Sequence, residues 1–566
     1  MKIVMIIGQD TNNFTLSYIV KVMLNRGHNV DIYGAFLNKN HLYMFDDINI
    51  TIKHIDNLTK EMLEYYDAAF VSVKFFFDMP WMLDAKVYMM AFDTLYLDEP
   101  CLGVDLMFER GSGWRPELPA GHRMESARIV VGDPKHDYFQ CENVKEKDNR
   151  FLFIDSGHYP FGLEGKRKAA EFLLEVCRRF PEYELVVKPR FLKGDKDVTH
   201  MNSMFLYDIL EEMTQGALPS NLVLLHEHKR LESLIAGAHT VICMYTTAYI
   251  DAAIQDKGLI ILDNLPNEED AVLRIKTHWN VARQIMSSSG CLVDYREAIQ
   301  YLPDGLKCSE AHLRQQIYSI GNSSENIVKC IEYIWSNYLS KSRYPALGEY
   351  YYDKLEDTMC SDEELTIERL IELRKKNYLF WWERVFYKNT TFFPSDNKVT
   401  RFIEELDSNG ILKNASREEL INMVSSKLLE YANEVPCDEI SQSYLFAQMM
   451  YGDNIRKIFD VKPERVACTN FYYFILGRAY YADKKYIEAS ETFEKFFGTL
   501  SEDGHMTGLG SAEGNILSAY YYCGMSYMKA DKLLKAKECF VKCQELTDNN
   551  HHKAQEQLDY LKDVMV

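Results

Sequence analysis

The stretch that decides the fold is residues 2–34, KIVMIIGQDTNNFTLSYIVKVMLNRGHNVDIYG. Its first apolar run, residues 3–7, predicts a buried parallel strand. Residues 15–25 then carry apolar side chains at helical spacing, and Gly27 stands where such a helix ends. Residues 30–33 predict a second strand, so the stretch forms a right-handed strand–helix–strand unit. The fold class predicted for this part of the chain is therefore α/β.

The alternation of strands and helices continues along the chain on both sides of a charged linker, ENVKEKDNR, at residues 142–150. Before the linker, further strands are predicted at residues 68–73, 86–90 and 127–131. After it, strands are predicted at residues 151–154, 184–187, 222–225, 240–243 and 259–262, with helices at 167–179 and 231–236. Two separate α/β domains, residues 1–145 and 150–335, are the economical interpretation.

The C-terminal part of the sequence changes character and contains an internal repeat. Residues 345–465 are rich in helix formers and aromatic residues and predict an all-helical connector domain. In residues 466–566 two copies of one pattern are offset by 47 positions, since Gly524 minus Gly477 is 47. Four residues of the first copy recur in the second: Gly477 as Gly524, Tyr480 as Tyr527, Ala489 as Ala536 and Phe493 as Phe540. This pattern resembles the tetratricopeptide repeat, whose usual length is about 34 residues, and the insertion at 500–514 supplies the surplus.

Composition excludes several classes of protein. A chain of 566 residues with 47% hydrophobic and 26% charged residues predicts several packed domains. The net charge of -20 argues against nucleic acid as a partner. The 13 cysteines form no CxxC pair, which argues against a zinc site or a disulfide framework. The N-terminal apolar run is too short for a signal peptide or a membrane span, so a cytoplasmic protein is expected.

The first strand–helix–strand unit also carries a family resemblance. KIVMIIG, followed by a helix that ends in LNRGHNVDIYG, resembles the start of GT-B-type glycosyltransferases. The dinucleotide-binding pattern GxGxxG does not follow Ile7, which disfavours a nicotinamide or flavin enzyme. The resemblance implies two Rossmann-like domains of the GT-B type, followed by an all-α region with tetratricopeptide-like helical hairpins.

A second resemblance covers residues 151–265. MYTTAYIDAA at residues 244–253, followed by KGLIIL, resembles the "DYSS…(D/E)A…GKPVI" segment of CDP-glycerol glycerophosphotransferases and related surface-polysaccharide transferases. It implies that Thr246 and Thr247 bind the donor phosphates and that Asp251 lies near the donor. The alternative is that the two threonines only cap the helix that follows.

Other polar residues follow predicted strands in the second domain, where open parallel sheets bind ligands. Lys188 and Arg190 stand where those relatives carry KxH or KPHP, with Arg190 in place of the histidine. The pair suits a diphosphate leaving group, and a structural salt bridge is the alternative. His226 and Glu227, with His228, stand where GT-B relatives contact the nucleobase or ribose, and a structural role is equally open.

Catalytic groups are predicted at two strand ends. In the loop Ser156, Gly157 and His158, small residues let a substrate approach the backbone, and His158 is a candidate acid or phosphate ligand; a merely solvated loop is the alternative. An acceptor hydroxyl must also lose a proton, and Asp10, after the first strand, is the best-placed base. The weaker rivals for that role are Asp93, His122 and His136.

No cofactor or metal is predicted. The sequence contains one Asp-x-Asp pattern, the arrangement that binds the metal in metal-dependent sugar transferases, at Asp195 and Asp197. It lies in a charged loop and is interpreted as solvated surface. The favoured function is transfer of a sugar from a nucleoside-diphosphate donor to a protein or cell-surface glycan acceptor. The repeats are expected to bind a protein partner or a second copy of the chain. A CDP-polyol phosphotransferase and a non-catalytic scaffold are the alternatives.

Overall fold

The computed structural model describes most of the two sheet-containing domains and the C-terminal helices. The described residues are 1–7, 12–34, 50–71, 80–92, 104–111, 126–138, 149–156, 162–190, 206–227, 229–266, 283–359, 365–388, 405–406, 408–416, 419–420, 455–461, 469–499, 513–546 and 551–564, with single residues at 45, 48, 402, 423 and 426. The chain divides into two compact units, Met1–Tyr378 (unit 1) and Leu379–Val566 (unit 2).

The first domain of unit 1 is built on a parallel sheet whose central strands are buried on both faces. Its first seven strands are β1 Lys2–Ile7, β2 Asn29–Gly34, β3 Ile52–His54, β4 Ala68–Val71, β5 Tyr88–Phe92, β6 Leu106–Glu109 and β7 Ala127–Val130. They lie in the order β7-β6-β5-β4-β1-β2-β3. Helices α1 (Asn12–Asn25) and α2 (Lys60–Leu63) are the α-helices described between these strands. Residues 3–7 are at most 1% exposed, which explains their uninterrupted apolar sequence.

The second domain repeats the same plan. Its strands are β8 Arg150–Ile154, β9 Glu184–Lys188, β10 Leu222–Leu224, β11 Thr240–Cys243, β12 Gly258–Asp263 and β13 Leu292–Asp294. Its helices are α3 Gly162–Arg179, α4 Leu206–Thr214, α5 Leu231–Ala236, α6 Ala248–Ile254 and α7 Glu310–Gln316. The parallel strands lie in the order β10-β9-β8-β11-β12-β13, which is the doubly wound Rossmann order. The predicted succession of two Rossmann-like domains is confirmed.

After the second sheet the chain returns to the first domain. Helix α8 (Ser323–Asn337) packs its apolar face into the core of the first sheet, together with residues of α1. Strand β14 (Glu349–Tyr351) pairs in parallel with β7 and completes an eight-stranded sheet. The boundaries 150–335 and 345–465 therefore differ from the observed arrangement, because α8 and β14 belong to the first domain and β14 is not helical.

The return path crosses the first domain where two glycines leave room for it. A Cβ atom on Gly132, which has φ of +100°, would meet the hydroxyl of Ser319. One on Gly111 would meet the backbone oxygen of Gln316. The Ser319 hydroxyl donates to the Val131 carbonyl at 2.7 Å. These contacts fix the segment that leads from the second domain back to the first.

The short helix α9 (Leu355–Thr358) is followed by helix α10 (Ile367–Lys388). A buried ion pair joins α10 to the first domain. Arg374 donates from Nε to Asp105 Oδ1 at 2.7 Å and from Nη2 to Asp105 Oδ2 at 2.5 Å. The same guanidinium donates to the carbonyls of Ala85 and Val87. Both charged side chains are 1% exposed. Burial raises the pKa of Asp105, and Arg374 opposes that rise.

The described residues of unit 2 form helices, and the internal repeat corresponds to two helical hairpins. The helices are α11 Ile411–Asn414, α12 Thr469–Ala482, α13 Tyr486–Gly498, α14 Glu513–Lys529, α15 Leu533–Leu546 and α16 His552–Val564. In the first hairpin a Cβ on Gly477 would come within 2.9 Å of Phe493, and in the second one on Gly524 would come within 2.8 Å of Phe540. The glycines therefore let each pair of helices pack around a phenylalanine. That the hairpins are tetratricopeptide repeats stays a prediction.

The strand predictions agree with the structure at β1, β2, β4, β5 and β7 to β12 to within about two residues. The predicted fold class, two α/β domains followed by an all-helical region, is confirmed. Among the described residues, no helix is both long enough and apolar enough to cross a membrane.

Candidate functional site

The second sheet has one place where its topology opens a crevice. Strands β8 and β11 are neighbours, but the chain proceeds from them toward opposite edges of the sheet. Ligands of open α/β sheets bind at the carboxyl ends of two such strands. Asp155 and Ser156 follow β8, and Thr246 and Thr247 follow β11. The structure thus places Ser156, Thr246 and Thr247 at one crevice, while Gly157 and His158 lie outside the described residues.

The two threonines differ in their local contacts. Thr246 Oγ1 accepts a hydrogen bond from the backbone N–H of Ala248 at 3.3 Å. Thr247, the residue before α6, makes no side-chain capping hydrogen bond. Both side chains are half-buried. The capping alternative therefore describes Thr246 but not Thr247, and phosphate binding by the two residues stays a prediction.

Lys188 ends strand β9, which lies beside β8 in the sheet. Within the described part of the chain its ammonium makes one hydrogen bond, to the Pro189 carbonyl at 3.4 Å, and no ion pair. Burial lowers the pKa of Lys188, and the positive charges of Arg190 and Lys135 lower it further. The structural salt bridge considered for this lysine is thus not found there. Arg190, two residues on, is exposed.

His226 and Glu227 follow β10, the outermost strand on this side of the sheet. Both side chains are exposed, and Glu227 pairs with Lys229 at 3.0 Å. With strands about 4.8 Å apart, the end of β10 lies roughly 10 Å from that of β8. Contact of these residues with a nucleoside stays a prediction, and His228 lies outside the described residues.

Asp251 lies in α6 and is held by two residues of the first domain. Its carboxylate accepts from Lys135 Nζ at 2.5 Å and from His136 Nε2 at 2.8 Å. Asp251 is 1% exposed. Burial acts to raise the pKa of Asp251, but Lys135 and His136 outweigh it and hold the pKa below its ordinary value. Asp251 therefore joins the two domains, and the predicted proximity to the donor stays untested.

The turn that supplies Lys135 and His136 is fixed on its other side as well. These residues belong to the 3-10 helix Pro134–Tyr138, which follows β7. Asp137 accepts from the backbone N–H groups of Ser323 and Ser324, both at 2.7 Å, and so caps α8. One short turn of the first domain thus contacts both the return helix and the helix that follows the second domain's crevice.

A buried ion pair holds the loop after β8. Lys166, in the first part of α3, donates to Asp155 and to the Ser156 carbonyl, the latter at 2.7 Å. Lys166 is 2% exposed, and Asp155 is 9% exposed. The charge of Lys166 is thus matched by that of Asp155, and the bond to the Ser156 carbonyl fixes the backbone of Ser156.

Two residues of this site were missed by sequence reasoning: Lys135 and Lys166. Lys135 follows a strand of the first domain, so the strand-end rule would have found it if it had been applied there. Lys166 lies in the second turn of α3, and no local pattern distinguishes it from an ordinary surface charge.

The acceptor side is less completely described. Asp10, Asp93 and His122 lie outside the described residues. His136 is 2% exposed and bonded to Asp251, as described above. The prediction that Asp10 is the catalytic base therefore stays a prediction. Asp195 and Asp197 are also outside the described residues, among which no group of three or more His, Cys, Asp or Glu is placed to hold a metal.

A buried network supports helix α6 from below. Tyr249 OH contacts His312 Nε2 at 2.9 Å, and Ser288 Oγ contacts His312 Nδ1 at 2.7 Å. Because the Ser288 hydroxyl donates to the Ile285 carbonyl, it accepts from Nδ1–H, and Tyr249 donates to Nε2. His312 is therefore neutral, and burial lowers its pKa.

This network predicts a loss of stability in mild acid. The pKa of His312 is lower in the folded protein than in the unfolded chain, where it is about 6.5. The contribution of neutral His312 to the free energy of unfolding is therefore full above pH 6.5 and is lost as the pH falls below that value. The melting temperature of the wild-type protein should therefore fall more between pH 7 and pH 5 than that of His312→Leu, measured by circular dichroism. Parallel curves for the two proteins would contradict the assignment.

Comparison with known proteins gives likeness in fold only. No protein-family model and no curated protein sequence matches this chain. MnaA of S. aureus, in a co-structure with UDP, is 15% identical, with 59% of this chain and 97% of that one covered and a TM-score of 0.43. The UDP-GlcNAc 2-epimerase of Neisseria meningitidis bound to UDP-GlcNAc is 12% identical, with 59% and 100% covered and a TM-score of 0.39. MurG of Acinetobacter baumannii is 12% identical, with 59% and 99% covered and a TM-score of 0.35. Because these TM-scores are low, the fold assignment is based on the sheet topology.

Proposed function

We propose that unit 1 is a nucleotide-sugar-dependent glycosyltransferase that binds its donor at the carboxyl edge of the second sheet. The observation that carries the proposal is Lys188, a half-buried ammonium beside the β8–β11 crevice that forms no ion pair within the described structure. Burial disfavours the Lys188 ammonium, and a bound diphosphate would supply a counter-charge in direct contact with it.

The surroundings of Lys188 support a diphosphate as the ligand. Arg190 follows on the same strand end, and Lys135 reaches the same region from the first domain, close enough for its charge to act on Lys188. Lys188 and Arg190, with the Asp251-paired Lys135 nearby, suit the charge that develops on a nucleoside-diphosphate leaving group. Thr246, Thr247 and Ser156 supply hydroxyls at the adjoining crevice.

The first domain is proposed to admit the acceptor. Asp10 is proposed as the base that takes the acceptor's proton and His158 as an acid or phosphate ligand; each follows a strand in the sequence and lies outside the described residues. The acceptor is proposed to be a protein or a cell-surface glycan, recruited by the hairpins of unit 2. Repeat surfaces commonly bind peptides, which supports this role without specifying the partner.

Nucleotide binding provides the first test. In Lys188→Met, affinity for the preferred nucleoside diphosphate should fall at least about 10-fold, because a charge-assisted hydrogen bond is lost. The melting temperature should stay the same or rise, because burial disfavours the ammonium that is removed. Isothermal titration calorimetry with UDP, GDP and CDP would measure the first effect, and circular dichroism the second.

Lys257→Met is the matched control. Lys257, at 6% exposure, is more deeply buried than Lys188, but it precedes β12 and donates to the Ala236 carbonyl at the opposite edge of the sheet. Its removal should lower stability and leave nucleotide affinity unchanged. Equal loss of affinity in both variants, or binding of none of the three nucleotides by the wild-type protein, would overturn the proposed donor site.

Turnover separates the possible reactions. Incubation with nucleotide sugars should release nucleoside diphosphate, detected by a coupled assay. Release of CMP from CDP-glycerol would instead favour the polyol phosphotransferase, because glycerol phosphate is then the group transferred. Binding without release of any nucleotide would favour a non-catalytic scaffold.

A further inference from the structure

Glu232 is a buried carboxylate close to the proposed donor site. It lies in the first turn of α5 and is 8% exposed. Helix α5 contacts α6, because the side chain of Gln255 donates to the Glu232 carbonyl at 3.5 Å. In the described structure the Glu232 carboxylate accepts a hydrogen bond from the backbone N–H of Glu232 itself and from no other residue.

The charges around Glu232 are those of the crevice. Burial raises the pKa of Glu232; the Lys135 ammonium and the Arg230 guanidinium act to lower it, and the Asp251 carboxylate acts to raise it. Glu232 in turn acts to raise the pKa of Lys188. The carboxylate therefore lies within electrostatic reach of both lysines, although neither forms an ion pair with it in the described structure.

A diphosphate on Lys188 would repel this carboxylate rather than bind it. A carboxylate beside a phosphate site can still accept hydrogen bonds from uncharged donors. The sugar attached to the diphosphate offers such donors in its hydroxyl groups. Burial strengthens such a bond and makes an unfilled acceptor costly.

We infer that Glu232 is a donor-binding residue whose carboxylate accepts hydrogen bonds from hydroxyl groups of the sugar attached to the diphosphate. This inference rests on the proposed function, because it takes Lys188 as the diphosphate site. If Glu232 has this role, it helps to determine which sugar donor binds, whereas Lys188 would bind the diphosphate of any nucleotide donor.

The test compares a nucleotide with its own sugar derivative. Whichever of UDP, GDP and CDP binds the wild-type protein is titrated by calorimetry beside UDP-GlcNAc, GDP-mannose or CDP-glycerol, respectively. In Glu232→Gln, affinity for the derivative should fall about 10-fold, because the charged acceptor is replaced by a neutral one. Affinity for the bare nucleotide should stay the same or rise, because a negative charge near the diphosphate is removed.

A control isolates the effect of a carboxylate in a first helical turn. Glu310 holds the corresponding place in α7, is exposed and pairs with Arg314. Glu310→Gln should change neither affinity, and circular dichroism should show both variants folded. Equal changes for nucleotide and derivative in Glu232→Gln, or no change in either, would overturn the inference while leaving the diphosphate site standing. Absence of wild-type binding to every nucleotide would instead remove the proposed function on which the inference rests.

Discussion

Replacing Arg374 with methionine is expected to lower the free energy of unfolding of unit 1 by about 3–5 kcal/mol. The substitution leaves Asp105 buried without its cation and removes the donors to the carbonyls of Ala85 and Val87. Because Asp105 also accepts from the Met89 N–H at 2.7 Å, the damage extends to strand β5. Urea denaturation followed by circular dichroism would measure the shift in midpoint.

Two further variants show whether burial is the cause. Arg296→Met breaks an exposed pair with Asp294, in which Arg296 is 66% exposed, and should cost less than about 1 kcal/mol. Combining Arg374→Met with Asp105→Leu should recover part of the loss, since the uncompensated charge is then gone. If the Arg374 variant unfolds at the same urea concentration as the Arg296 variant, the ion pair does not hold α10 to the sheet.

Replacing Gly258 with alanine is the second change with a large expected effect. The added Cβ would fall directly against the backbone oxygen of Asp304 and within 2.9 Å of the Thr240 hydroxyl. The obstructing segment is held to β12 by the Leu259–Leu306 hydrogen bonds of 2.9 and 3.0 Å, so it cannot retreat freely. We expect a loss of about 3 kcal/mol in the free energy of unfolding, measured by urea denaturation.

Gly216→Ala is the matched control for this substitution. Gly216 has φ of +79° but no atom within 4 Å of its added Cβ, so only the backbone strain of about 1 kcal/mol is expected. A Gly258 variant no less stable than the Gly216 variant would mean that residues 303–306 do not lie against β12 as described.

Sequence reasoning found most of the strands because buried parallel strands are uninterrupted apolar runs. It missed β6, although this strand lies in the middle of the first sheet. Its apolar run, residues 106–108, is short and stands between Asp105 and Glu109, which read as loop residues. Arg374 and Arg128 neutralise those two charges, and Arg374 is 269 residues away from Asp105. No local pattern carries that information.

The candidate site divides in the same way. Lys188, Ser156 and Thr246 were predictable because the residues after parallel strands share one edge of the sheet. The partners of Asp251 were not, because Lys135 and His136 come from the other domain and meet it only through the three-dimensional fold. Glu232 was not predicted from the sequence, because its burial distinguishes it from other helical glutamates and its position in a helix does not.

The return of α8, β14 and α10 to the first sheet has a consequence for synthesis of the chain. At about 5–20 residues per second, Arg374 leaves the ribosome's active site roughly 13 to 54 seconds after Asp105, from which it is 269 residues distant. Throughout that interval the first domain lacks the cation for a buried carboxylate, and for most of it the domain also lacks its last strand, β14. The second domain, whose strands span residues 150–294, is complete sooner. We therefore expect the first domain, although it is translated before the second, to finish folding after it and to depend on chaperones during that interval.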